Sequence, residues 1–410
     1  MKTLHLFPQP NVESGSTIKR VCCIKRFDGP IEISDEELWF EIDRIDELPA
    51  DDDCESYLLS MLMEGMAENR EIVVHGAVSK ELLSNLTEFQ DVWVSWRPEK
   101  YNRVSIYVER LTLNSKIKSG AICAFSGGVD ASFSVWRNTE NRNGARTQAI
   151  CLCAMVHGFD IPIDDARAFH VAFSRAEATL SSLDLTIRAI RTNYRNISKL
   201  DWNQTHGAAL VGALSNYKGL AGVCVLASGE PYSGTLRPWG SSPITDHLLS
   251  SGELAVVHDG ASHTRTQKVL ALSEWPAGFE NLKVCWEGEF KDRNCGKCEK
   301  CVRTMLNIAA NNLPIPPCFP SRVIILEDVK KLELKNEVVR GEWRQIRETA
   351  KRNGISADWV RVVEKKLEPR WFETLSSKIN WQPLKDLLFP DGTTRKRIAT
   401  KIYLFSKRLD

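Results

Sequence analysis

The sequence contains no apolar run near the roughly 18–20 residues that a membrane-spanning helix requires. Its start, Met1 to Ser16, places Pro8, Pro10 and Glu13 where a secretory leader would carry an apolar core. Neither feature directs the chain out of the cell, and a reducing cytoplasm is the expected compartment, with no membrane association. Net charge is also nearly absent: 54 Lys and Arg stand against 53 Asp and Glu, a formal +1. No global field therefore argues for nucleic acid or for an anionic membrane surface. Internal repeats are missing, as are the two common phosphate fingerprints, G-x-x-x-x-G-K-[ST] and G-x-G-x-x-G. Their absence sets aside the P-loop NTPase and dinucleotide-binding readings at the motif level.

Cysteine is present in quantity, twelve residues in all. In a cytoplasmic chain these are metal ligands, buried thiols or catalysts more often than disulfides. Cys22, Cys23, Cys54, Cys123, Cys151, Cys153 and Cys224 sit singly or in pairs, mostly in apolar stretches, and read as small core residues. Cys285, Cys295, Cys298 and Cys301 form a cluster of their own.

A chain of 410 residues predicts two or three domains, and three regions can be separated. Residues 1–115 mix strand-like runs (Thr17–Lys25, Ile72–Val74, Val92–Trp96, Val104–Val108) with an amphipathic helix over Ser56–Met66, an α+β pattern. Glu41–Glu55 is acidic and reads as a solvated loop or face. Residues 116–318 alternate strand and helix. Ala121–Phe125, Gln148–His157, Thr186–Arg191 and Gly222–Ala227 read as buried strands, and Ala131–Asn138, Asp164–Leu183 and Gln204–Asn216 as helices. That alternation implies α/β architecture, a parallel doubly wound sheet covered by helices on both faces. Residues 319–410 are helical and basic, 21 Lys and Arg against 13 Asp and Glu by count, with amphipathic stretches at Ser356–Lys366 and Trp381–Leu388 and a charged tail from Arg395 to Arg408. Such a run is a solvated face, or a docking surface for an acidic partner, for RNA, or for the acidic stretch of a second subunit in a homodimer.

The most informative segment is Ala121-Ile122-Cys123-Ala124-Phe125-Ser126-Gly127-Gly128-Val129-Asp130-Ala131-Ser132. A buried strand ends in two glycines that permit a tight turn and a close ligand approach. A helix follows at once, so its free N–H groups and positive dipole end face the turn. Ser126 and Ser132 add hydroxyls. Asp130 beside a phosphate calls for a cation between them, which makes it a candidate Mg²⁺ ligand. The segment resembles the Ser-Gly-Gly-x-Asp signature of PP-loop, or N-type ATP pyrophosphatase, enzymes. That resemblance implies an adenine nucleotide alpha hydrolase-like fold and cleavage of ATP between its α and β phosphates. Phe125, Ser126, Gly127, Gly128, Val129, Asp130 and Ser132 would then bind ATP. His157, in His157-Gly158-Phe159-Asp160 after the second strand, would join them near the adenine. Arg265 and Lys268 would face the leaving pyrophosphate, so that Asp130, Ser126, Arg265 and Lys268 form the expected catalytic set. The family commonly has Ser directly after the Asp, where this chain has Ala131.

Cys285-x9-Cys295-x2-Cys298-x2-Cys301 brings three thiols within seven residues, in a turn containing Gly296 and before the helical run Val302–Asn311. Four thiolates at this spacing suit structural Zn²⁺, and the C-x2-C-x2-C part also suits an iron–sulfur cluster. Lys297, Lys300 and Arg303 would offset part of the thiolate charge. A PP-loop followed by this knuckle resembles 7-cyano-7-deazaguanine synthase over roughly residues 120–310, a family that holds zinc through four such cysteines, adenylates a 7-carboxy-7-deazaguanine carboxylate and admits ammonia. In the place of that family's substrate segment stands Ser228-Gly229-Glu230-Pro231-Tyr232-Ser233-Gly234-Thr235-Leu236-Arg237-Pro238. Glu230, Tyr232, Arg237 and, further on, Asp246 are the expected substrate-binding residues. The altered segment and the added flanking regions point to a nitrogen acceptor other than ammonia, such as an amine on a protein; enlarged relatives occur in bacterial antiphage systems. The alternatives are a tRNA sulfur transferase of the PP-loop class with an iron–sulfur cluster, and a non-catalytic nucleotide-binding scaffold.

Overall fold

A computed structural model of the chain describes residues 1–113, 117–234 and 237–368. The expected helix Trp381–Leu388 and the basic tail Arg395–Arg408 lie outside the described residues. The strands are β1 (Lys2–Pro8), β2 (Val12–Ser14), β3 (Thr17–Asp28), β4 (Ile31–Asp43), β5 (Glu71–Ser79), β6 (Ile106–Thr112), β7 (Ala121–Ala124), β8 (Ile150–His157), β9 (Ile187–Thr192), β10 (Val223–Ala227) and β11 (Ala255–Asp259). The helices are α1 (Glu55–Glu68), α2 (Lys80–Trp96), α3 (Val129–Thr139), α4 (Ala166–Leu180), α5 (Tyr194–Ile197), α6 (Trp202–Leu214), α7 (Arg265–Leu272), α8 (Pro276–Glu280), α9 (Glu299–Ala310), α10 (Leu326–Lys331), α11 (Glu337–Arg352) and α12 (Asp358–Leu367). Among the described residues no helix is long and apolar enough to cross a membrane.

All eleven strands join one mostly parallel sheet in the order β11-β10-β7-β8-β9-β4-β3-β1-β5-β6, with β2 paired to β3. The strands β11, β10, β7, β8 and β9 are mutually parallel. Numbered along the chain, this half runs 5-4-1-2-3, so the order reverses at β7, and the carboxyl end of β7 opens at the crevice where open α/β sheets place ligands. Alternate residues of each strand feed opposite cores, as a sheet covered on both faces requires. Ile122, Leu152, Ala154, Cys224 and Leu226 pack with α1 and α6 on one face. Cys123, Cys153, Met155 and Val225 pack with α3, α4, α7 and α9 on the other.

The boundary expected near residue 115 does not divide the fold. β4 pairs antiparallel with β9, placing Phe40, Glu41 and Ile42 opposite Thr192, Arg191 and Ile190, so the N-terminal strands extend the same sheet. Two compact units result, residues 1–324 and residues from 325 onward. α1 is buried over nearly its whole length between the sheet and α6. At that crossing a side chain on Gly212 would meet the Ser60 hydroxyl at 2.6 Å and the Ser56 carbonyl at 2.8 Å, so a glycine is needed for the two backbones to approach. In the second unit, α11 and α12 pack together around the buried Val329, Trp343, Ile346, Ala350 and Val363.

Three local expectations are corrected. Val92–Trp96 is not a strand but the last turns of α2, because Leu82, Leu86, Phe89 and Trp93 recur at helical spacing and bury one face, which overrides the β preference of Val-Trp-Val. The acidic stretch 41–55 is not all solvated loop or face: Glu41 and Asp43 lie half-exposed at the end of β4, but Glu55 is buried. Of the seven scattered cysteines, Cys22, Cys54, Cys123, Cys153 and Cys224 are core, whereas Cys23 is half-buried and Cys151 exposed.

Glu55 owes its burial to Lys218. The Lys218 ammonium contacts Glu55 and Glu253 at 2.8 Å each and also pairs with Asp53, tying the start of α1 and the approach to β11 to the loop after α6. Burial opposes the lysine's charge, but the three carboxylates outweigh it and raise the pKa. Breaking such a buried cluster strands its partners without a counter-ion. Lys218→Met is expected to lower unfolding free energy by about 3–5 kcal/mol, read as a shift of the guanidinium midpoint at pH 7.

Candidate functional site

β7 ends under the sheet edge, and the chain turns through Ser126, Gly127 and Gly128 into α3. Gly127 lies at φ +75, a left-handed conformation that favours glycine. Gly128 is the N-cap of α3 and supplies no capping side chain, so the first N–H groups of the helix face the turn. Around this turn opens a cavity of about 300 Å³. Phe125, Ser126, Gly128, Val129 and Asp130 line it, as the motif predicts for residues that contact a ligand.

Asp130 is held by two cations from α7. Arg265 Nη2 donates to one carboxylate oxygen at 2.6 Å and Lys268 Nζ to the other at 3.0 Å. Burial raises the carboxyl pKa, but Arg265 and Lys268 overcome that effect and hold it down at about 2. Lys268 also donates to the Ser228 carbonyl at the end of β10. α7 begins with a capping box in which Thr264 and Gln267 exchange bonds, fixing the turn that presents Arg265. α9 braces α7 through Thr266 and Asn307, whose side chains are 2.5 Å apart, and through Asn311, which donates to the Thr266 carbonyl at 2.9 Å.

Two further cations line the cavity, Lys283 and Lys300. Neither forms an ion pair with a described residue. Burial depresses the pKa of both, and for Lys300 the nearby Arg265 adds to the effect. Three cations (Arg265, Lys283, Lys300) and two carboxylates (Asp130, Asp160) thus line the cavity, and Lys268 pairs with Asp130 behind them, leaving the site net positive. The rest of the lining includes the apolar and aromatic Phe159, Ile161, Trp202 and Leu210, together with His206. A ligand with an anionic part and a planar apolar part matches that composition.

Several expected site residues lie elsewhere. His157 does not line the cavity: it is buried, donates from Nε2 to the Pro162 carbonyl at 2.9 Å, and stacks on Phe169. Ser132 is buried below the turn, and its Oγ meets no protein partner, while Ala131 takes the lining position. Glu230 and Arg237 pair with each other within their own loop, and Tyr232 is exposed. Asp246 is completely buried, accepting from Ser241 Oγ at 2.7 Å, from the Ser242 N–H at 2.9 Å, and contacting His258 Nδ1 at 2.7 Å. It organises the 241–246 loop and does not face the cavity. The residues that sequence reading missed are Lys283, Trp202 and His206. Lys300, expected beside the thiolates, also lines the cavity.

The four predicted metal ligands do converge. The sulfur atoms of Cys285, Cys295, Cys298 and Cys301 all lie within 4.8 Å of one another, with Cys285–Cys298 at 3.7 Å and Cys295–Cys301 at 3.9 Å. Those separations are far beyond a disulfide bond, and all twelve cysteines are free thiols. Backbone N–H groups of Gly288, Lys297 and Cys298 point at sulfur at 3.2–3.4 Å, and Gly296 at φ +73 makes the knuckle turn. Four thiols and N–H donors aimed at them fit a metal ion.

Purified protein is expected to carry one metal ion per chain by elemental analysis, and Cys298→Ser to lose most of it. The Asp130 carboxyl, held below its ordinary 3.8 in the folded state, contributes stability that is complete above about pH 4 and is lost as pH falls through about 2. Asp130→Asn should therefore cost about 2 kcal/mol near pH 6, the gap to the parent narrowing towards pH 2 in urea melts. Comparison of the chain with protein-family models, curated proteins and solved structures found no match.

Proposed function

We propose that this chain is a PP-loop enzyme that splits ATP to AMP and pyrophosphate in order to adenylate a carboxylate, one like that of 7-carboxy-7-deazaguanine. The observation that carries this reading is the Ser126-Gly127-Gly128 turn at the start of α3, opening at the crevice beside β7 and faced by Arg265 and Lys268 across Asp130. Turn amides and the two α7 cations suit a polyphosphate, and the aromatic lining suits a base.

In the reaction proposed, a carboxylate oxygen attacks the α-phosphorus of ATP, the bond to the bridging oxygen of the β-phosphate breaks, and pyrophosphate leaves. The α7 cations and the loop amides stabilise charge on the departing group, so catalysis is mostly positioning and electrostatics. Phosphate oxygens would take over the bonds that Asp130 now makes to Arg265 and Lys268, freeing that carboxylate to hold Mg²⁺. Magnesium supplies further neutralisation of the triphosphate. A nitrogen lone pair then attacks the acyl carbon, the bond to AMP breaks, and the nitrogen loses a proton to water, which leaves an amide; a nitrile would need a further loss of water. The added N-terminal strands and the second helical unit support an acceptor larger than ammonia, such as an amine of a partner protein in a bacterial antiphage system. In this reading the four cysteines hold structural zinc.

Incubation with ATP, Mg²⁺ and 7-carboxy-7-deazaguanine should yield AMP and pyrophosphate in equal amounts. Asp130→Ala should reduce the rate at least about a hundredfold while keeping the bound metal. Release of ADP and phosphate instead would rule out the reaction. A brown protein with visible absorbance after anaerobic purification would replace zinc with an iron–sulfur cluster and favour sulfur transfer.

A further inference from the structure

Lys283 and Lys300 share an origin that their place in the cavity does not reveal. Both are carried by the cysteine knuckle. Lys283 stands two residues before Cys285, and Lys300 stands between Cys298 and Cys301 in the first turn of α9. Both line the cavity, and neither forms an ion pair with a described residue.

A continuous set of hydrogen bonds links the knuckle to the glycine turn. Asn294, just before Cys295, is buried and accepts at Oδ1 from the N–H groups of Val284 and Cys285, at 2.8 and 3.2 Å. Its Nδ2 donates to the Leu282 carbonyl at 2.8 Å and to the Cys318 carbonyl at 3.0 Å. The segment so gripped then donates from the Lys283 N–H to the Gly127 carbonyl at 2.8 Å. The positions of the two ammonium groups are thus set by the loop that the four thiols close, and that loop is stitched to the turn it faces.

Lysines that outnumber the carboxylates of a recess are disfavoured unless an anion arrives, and a loop holding four thiols close together is disfavoured unless a cation binds them. Resting on the reading of this cavity as a phosphate site, but not on the reaction assigned to it, we propose that Lys283 and Lys300 form a pyrophosphate-binding subsite whose geometry is set by metal in the Cys285–Cys301 knuckle. Metal loss would loosen the segment 282–301, let the two ammonium groups drift, and weaken anion binding before the sheet is disturbed. The knuckle then serves as a positioning element for the anion site as well as a local staple.

The test is calorimetric titration of metal-loaded protein with inorganic pyrophosphate, with metal content measured in each sample. Lys283→Gln and Lys300→Gln should each keep the metal and lose roughly tenfold or more in affinity, as expected for loss of one charged hydrogen bond. Chelator-treated protein that keeps its far-ultraviolet circular dichroism should bind at least as weakly as either variant. Where chelation abolishes the fold, metal-loaded Asn294→Ala, which removes the stitch without touching the anion, should show the same loss. Unchanged affinity in both lysine variants, in folded metal-free protein, or in Asn294→Ala would overturn the proposal. Pyrophosphate binding that depends on lysine and metal, in a protein that makes no AMP from ATP, would defeat the proposed reaction alone. AMP formation with pyrophosphate affinity indifferent to metal and to both lysines would defeat this coupling alone.

Discussion

The backbone bond from the Lys283 N–H to the Gly127 carbonyl, 2.8 Å long, is what makes two separate motifs into one site. It is available because Gly127 adopts a left-handed conformation that turns its carbonyl away from the α3 amides, leaving those amides to face the cavity. An L-residue with a side chain at this position would strain the turn. On the far side of the bond, Asn294 ties the same segment to the cysteine knuckle, so hydrogen bonds connect the turn, Lys283 and the loop that carries the thiols. α7 and α9, which carry the other cations, are joined through Thr266, Asn307 and Asn311.

Electrostatics at this site follow from unequal partnering. Asp130 and Lys300 both border the cavity, yet their pKa values fall for opposite reasons. Asp130 has two cations within hydrogen-bond reach, and their attraction overcomes the effect of burial, so the carboxylate stays ionised. Lys300 has no ion-pair partner among the described residues, and burial and the Arg265 guanidinium outweigh the pull of Asp160 and Asp130 on its charge. The same chain shows the opposite case at Lys218, where three carboxylates surround one ammonium. The excess of cations at the cavity, against the excess of carboxylates around Lys218, is the contrast on which the proposed anion site rests.

Much of this was readable in one dimension because it depends on near neighbours. Strand, glycine pair and helix follow one another between Ala121 and Thr139, and helix-terminus physics alone aims amides into the turn. Three of the four thiols sit within seven residues, so their convergence needs only a tight turn at Gly296. Arg265 and Lys268 were legible as cations, and three residues of helical spacing put both on the Asp130 carboxylate. Val92–Trp96 was misread because strand preference is a local quantity, whereas the burial of Phe89 and Trp93 that decides the matter is not.

The sequence by itself determined the phosphate-type turn, the α/β alternation and the four-cysteine knuckle, since each is set by chain geometry within a few residues. Only the tertiary structure decided that β4 joins β9 and merges the N-terminal strands into the same sheet, because a strand edge pairs with whichever edge packing brings alongside it. It also decided which polar side chains reach the cavity. His157 and Asp246 satisfy their hydrogen bonds elsewhere, while Lys283 and Lys300 enter from a segment more than 150 residues along the chain. Direction of a side chain depends on what surrounds it in space, and no spacing rule along the chain carries that information.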